Sequence, residues 1–151
     1  MKGKIIFFSI AMFAMTLSSS KILAQSKPNM PQSIISTSAG IRTFHDDKTL
    51  KALSKGELVE LYIERMKVMV RILPKIGMAT KPGVTMADLG IPDTSDNKKA
   101  LDLEKDATQT YLDITVEYLR KMLPFCDKGQ LINAILFYEQ TLKSLKELEA
   151  Q

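Results

Sequence analysis

Apolar residues recur at helical spacing in three long stretches of the chain. In the second, Leu103, Ala107, Ile114 and Tyr118 follow steps of four, seven and four, and Leu112, Val116, Leu119, Met122 and Leu123 thicken the same segment. That period is the one that places side chains on one helical face. Pro124 lacks an N–H and disfavours helical geometry at Leu123, so this helix is predicted to stop there. Asp127 then supplies an N-cap with Gln130 at the capping-box distance, and Cys126 and Leu131 stand at the flanking staple positions. From there Leu131, Ala134, Ile135, Tyr138, Leu142 and Leu145 draw one stripe, with Lys143, Lys146 and Glu147 largely off it. The elbow from Met122 to Gly129 is short enough to set the two helices antiparallel, as a hairpin.

The first long stretch begins at a stronger capping box, Ser54-Lys55-Gly56-Glu57, with Leu53 and Leu58 as its staple. It carries two apolar stripes: Leu58, Tyr62, Met69, Leu73 and Ile76, and beside them Val59, Ile63, Met66 and Val70. A helix apolar over so much of its circumference needs cover on more than one side. The hairpin supplies one side; the remainder has to come from a short helix, a loop or another subunit. Pro74 kinks or ends this helix near Leu73. The sequences Arg71-Ile72-Leu73-Pro74 and Lys121-Met122-Leu123-Pro124 echo one another, and the simpler reading is two independent helix stops. Thr43 to Asp46 is a candidate cap for a short helix running to Leu53.

The fold class these patterns predict is all-α. It is an antiparallel bundle of three long helices, about 55–76, 96–123 and 128–149, with a short fourth near 44–53. Residues 77–95 form a long loop in which Thr85 to Leu89 makes one turn, and Val84, Met86, Leu89 and Ile91 argue that it packs down. Residues 25–42 read as a flexible polar arm, ordered where Ile34 and Ile35 touch the domain. The bundle domain is 43–151.

The first 24 residues have the three-part layout of a secretory signal: Met1 to Lys4 basic, Ile5 to Leu17 apolar, then a polar stretch and Ile22-Leu23-Ala24. Cleavage is expected near Ala24, which makes the protein periplasmic or extracellular. The apolar run falls short of the roughly 20 residues a membrane span needs, so no span is expected in the mature chain. Processing also changes the charge. The chain carries 21 basic and 17 acidic residues, a net +4. Loss of Lys2, Lys4 and Lys21 leaves 18 against 17, or +1. The basic footprint of a nucleic-acid binder is absent.

Chemistry-bearing residues are few. The chain has one His, one Cys and no Trp. His45 is the only base available to a Ser-His or Cys-His site, and its position before the domain reads as a solvated loop. No zinc spacing, haem attachment or phosphate-binding loop occurs. Glu64 and Glu117 have apolar neighbours in sequence and are expected at the borders of their stripes. Cys126 reads as a small hydrophobe at the elbow, with an intermolecular disulfide as the functional alternative. Met66, Met69, Met122 and Cys126 are the one soft-ligand set, weak candidates for Cu(I). Methionine also fills irregular cores, so the expectation is no cofactor and no catalytic site. Together these readings point to an exported, non-enzymatic binding or assembly module with a protein partner or a homo-oligomer. The alternative is a carrier of a small ligand, Cu(I) or haem in the bundle interior. The argument for assembly is the apolar excess over residues 58–76.

Overall fold

The computed structural model describes residues 31–148; the signal-peptide reading of residues 1–24 and the first part of the arm lie outside it. Among the described residues four α-helices follow in order: α1 (Asp47–Ala52), α2 (Lys55–Ile72), α3 (Ser95–Met122) and α4 (Lys128–Leu148). There is no strand among the described residues, and Ser33 and Thr85 form one isolated antiparallel bridge. The fold is the expected all-α bundle of three long helices and a short one.

Each helix begins where local chemistry permits. The Asp46 carboxylate accepts the Thr49 amide at the start of α1. Ser54 and Glu57 complete a reciprocal capping box at α2. Thr94 caps α3 through the Asn97 amide. Asp127 Oδ1 accepts from the amides of Gly129 at 2.7 Å and Gln130 at 3.1 Å ahead of α4. The two proline stops behave alike. In Leu73–Lys75 and in Leu123–Phe125 the chain tightens into a 3-10 turn with proline near its start. Proline's missing N–H costs nothing at that position, whereas further helix would clash with its ring.

The bundle is organised around α2, which packs against both α3 and α4. The backbones of the two hairpin helices scarcely approach one another. α2 is buried around most of its girth: Leu58, Val59, Ile63, Met66, Val68, Met69 and Ile72 are all core residues. Its own chain supplies the cover, so the apolar excess over 58–76 is not a free surface. This corrects the argument that it calls for another subunit; only Leu73 and Ile76, at its end, stay exposed.

The missing cover comes from the arm and the long loop. Ile34, Ile35, Ala39 and Ile41 are buried against Val68, Met69, Ile72, Leu142 and Leu145. Two backbone bonds tie the arm to the loop: Ile34 N–H to the Val84 carbonyl, and Gly83 N–H to the Ile35 carbonyl. Gly83 sits at φ 94°, a conformation that a side chain would strain, which lets the loop turn under the arm. Met86 plugs the loop into the same cluster. Ala87–Leu89 forms the expected turn, capped by mutual bonds between Thr85 and Asp88. A stretch polar on average is held here by a few apolar side chains, each contributing about 1.5–3 kcal/mol when fully buried.

The core thus falls into two apolar clusters. One gathers Leu50, Leu58, Ile63, Met66, Leu112, Leu123, Leu131 and Ile135 near the elbow. The other is the arm-covered cluster toward the far ends of α2 and α4. Along α4 a polar layer lies between them.

Candidate functional site

That layer consists of Arg65 from α2, Glu139 from α4 and His45 from the segment before α1. Arg65 and Glu139 are each only 1 % exposed. Arg65 Nε donates to Glu139 Oε1 at 2.9 Å, and Nη2 lies 2.8 Å from the same oxygen. Nη2 also donates to the Thr43 carbonyl at 2.6 Å, and Nη1 meets Glu64 at 3.0 Å. The His45 backbone N–H donates to Glu139 Oε2 at 2.6 Å, and its Nδ1 lies 3.0 Å from Oε1. An ionised carboxylate only accepts, so Nδ1 carries the proton in that bond. The 3.3 Å approach of Arg65 Nη2 to Nδ1 is then a contact between two donors.

Glu139 therefore receives four donors, about as many as a carboxylate can take. Burial acts to raise its pKa. The bonds from His45 and Arg65 outweigh burial and hold the carboxyl below its ordinary value of 4.5. A charged, fully bonded carboxylate in the core is tolerable only with such a set of partners.

His45 is consequently not the solvated loop residue the sequence led us to expect; its side chain is 19 % exposed and pinned to the bundle. A histidine oriented through Nδ1 by a carboxylate is also how many catalytic bases are held. Here the carboxylate is Glu139, and Arg65 stands beside the ring. The arrangement fastens the segment before α1 across α2 and α4, and fixes the register of those helices.

Beside this layer, Tyr62 and Tyr138 join α2 to α4, with hydroxyls 3.1 Å apart and ring centroids 5.3 Å apart. Burial first, and then the bond to Tyr62, push the Tyr138 hydroxyl well above the ordinary tyrosine range.

The remaining candidates are divided between the surface and the two apolar clusters. Glu64 and Glu117 are exposed, paired with Arg65 and Lys121. Met66 lies in the elbow-side cluster and Met69 in the arm-side cluster. Met122 is exposed, while Cys126 is a free, partly buried thiol packed against the elbow-side cluster. The described residues contain no group of three or more His, Cys, Asp or Glu side chains placed to hold a metal ion.

Sequence reasoning missed Arg65 and Glu139, although a trace of each was legible. The stripe Leu58, Tyr62, Met69 skips a turn, and Arg65 stands in the gap. Glu139 likewise falls four residues after Ile135 and three before Leu142, on the core side of its stripe. Opposite charges interrupting two apolar stripes are the sign of a buried pair.

The apolar period that the sequence marks through Leu103, Ala107, Ile114 and Tyr118 is not the buried face of α3, which instead carries Leu112 and Val116. Leu103, Tyr111, Ile114, Tyr118 and Met122 form an apolar line along α3 that the fold leaves exposed, and Phe125 extends it past the helix end. Ile114 is 67 % exposed and Phe125 88 %. Phe137 of α4, also exposed, rests its ring against Tyr138.

What fold and site define is a class: an all-α bundle locked by a buried Arg–Glu–His layer. No protein-family model, curated protein or solved structure matches this chain.

Proposed function

We propose that this protein is an exported, non-enzymatic assembly module that pairs with a second copy of itself through the outer line of α3. The observation that carries this reading is the symmetry of the line. Counted from Ile114, its apolar positions fall three before and four after (Tyr111, Tyr118), seven before and eight after (Ala107, Met122), and eleven on either side (Leu103, Phe125). A second α3 laid antiparallel, with its Ile114 against this one, sets Tyr111 against Tyr118, Ala107 against Met122 and Leu103 against Phe125. Each match occurs twice. A two-fold interface requires that self-complementarity, because the same patch serves both partners.

A contiguous exposed line of large apolar side chains is also uncommon on a monomer and marks an interaction surface. Export is supported by the basic start, apolar run and Ala24 of the N-terminal sequence.

Sedimentation equilibrium of the chain beginning at Gln25 tests the pairing. A dimer at low micromolar protein is expected, and Ile114→Glu should make it monomeric with an unchanged helical spectrum. In a Cys126→Ser background, Ile114→Cys should cross-link to its own copy on mild oxidation. At the two-fold axis the Cα atoms come within the roughly 4.4–6.8 Å that a disulfide spans. A wild-type monomer across the whole range overturns the proposal, as does a dimer indifferent to Ile114→Glu. For export, mass spectrometry of the native protein should find Gln25 at the amino terminus; an intact Met1 would remove that part.

A further inference from the structure

Between the arm, the end of α2 and the first half of α3 lies a cleft of about 430 Å³. Three cationic side chains line it: Arg71 and Lys75 from the end of α2, and Lys105 from α3. Asp106 is the one carboxylate in its lining, and Ser33, Ser36, Ser38 and Thr108 contribute hydroxyls. Lys75 is buried and paired with Glu104 at 2.8 Å. Arg71 and Lys105 instead bond neutral amide oxygens, Arg71 to Gln109 at 3.2 Å and Lys105 to Gln32 at 3.0 Å. An anion entering the cleft can replace these neutral acceptors with charge-assisted bonds, which are roughly twice as strong. The guanidinium of Arg71 can grip an oxyanion with two parallel N–H donors.

The walls are built rather than improvised. Ile34 and Ile35 bury the arm on one side of the cleft, and the two backbone bonds to the loop hold it there. Ser36 and Ser38 hydroxyls bond each other at 2.8 Å, an arrangement that leaves one O–H of the pair to donate outward. The volume lies within the range of small-molecule sites, about 300–1,000 Å³, and exceeds what an inorganic ion fills. Oxyanion-binding cations at one side and hydroxyls at the other fit a molecule with the same division.

We infer that this cleft binds a small hydroxyl-rich organic anion, a sugar acid or a sugar phosphate, with Arg71 and Lys105 on the oxyanion and the serine-lined arm on the hydroxyls. The site is separate from the line on α3 proposed to pair the chains.

Isothermal titration of the chain beginning at Gln25 with gluconate, glucose 6-phosphate, glucose and inorganic phosphate tests this. One of the two anionic sugars is expected to bind at least tenfold more tightly than glucose and than inorganic phosphate, and which one binds tells carboxylate from phosphoryl. Arg71→Gln and Lys105→Gln should each weaken that binding roughly tenfold, since each removes a charged hydrogen-bond donor. Ile114→Glu should leave it unchanged, so failure here and failure of chain pairing are read separately. If neither anionic sugar exceeds glucose and inorganic phosphate, or if both cleft variants bind as the wild type does, the inference falls.

Discussion

Arg65 and Glu139 lie 74 residues apart in sequence and meet in the core, where one carboxylate oxygen accepts both the Nε and the Nη2 of the guanidinium. The pair stands between two apolar clusters and bonds the backbone on both sides of Phe44, through the Thr43 carbonyl and the His45 amide. It is therefore a joint among three parts of the chain. A buried pair of this kind adds little net stability over an apolar replacement, because desolvating two charges offsets their attraction. What it adds is a penalty for every register that leaves either charge alone.

That asymmetry is measurable. Glu139→Ala or Arg65→Met alone should lower the unfolding free energy by about 3–5 kcal/mol, since each strands a buried charge. The double variant Arg65→Met with Glu139→Leu should recover most of the loss. Urea unfolding followed by circular dichroism provides the comparison. Two single losses that simply add in the double variant would show that the residues do not act as a unit.

Two groups between α2 and α4 contribute to the pH dependence with opposite signs, beside several carboxylates nearer the surface that hydrogen bonds also hold low. Glu139 has a lower pKa folded than unfolded, so its contribution is complete above its ordinary value of 4.5 and is lost as pH falls through the lower folded value. Tyr138 has a raised pKa, so its contribution is complete below the ordinary 10.0 and is lost as pH climbs beyond it. Urea midpoints should fall at both extremes. Arg65→Met with Glu139→Leu should make the acid side shallower and leave the alkaline side as it is, and Tyr138→Phe should do the reverse. An acid limb of the same steepness in the double variant would place the acid-sensitive group elsewhere.

At the elbow, Asp127 takes two amide donors at the start of α4. Asp127→Ala should cost about 1 kcal/mol through the lost cap, and Asp127→Asn much less. Thermal unfolding of the two variants side by side tells a lost cap from a lost charge: equal shifts would mean that the charge, and not the hydrogen bonds, matters.

How much of this was legible from the chain alone depends on how local the cause is. The capping box at Ser54, the cap at Asp127, the stops at Pro74 and Pro124 and the turn after Thr85 each rest on residues within a few positions of one another. The sequence therefore determined where the helices begin and end. Helical period likewise marked the core faces of α2 and α4. The same reasoning passed over Arg65 and Glu139, because a lone charge belongs in water unless a partner waits in the core. That partner sits on another helix, and no local rule names it. Tertiary packing also decided what covers α2. Ile34, Ile35 and Ile41, in a stretch too polar to show any period, spend their apolar surface on it, and the long loop closes behind them. With α2 covered from within, the surface left open is the line through Ile114. Its exposure became visible only once each helix had been given its neighbours, since burial is a property of pairs of segments and periodicity a property of one.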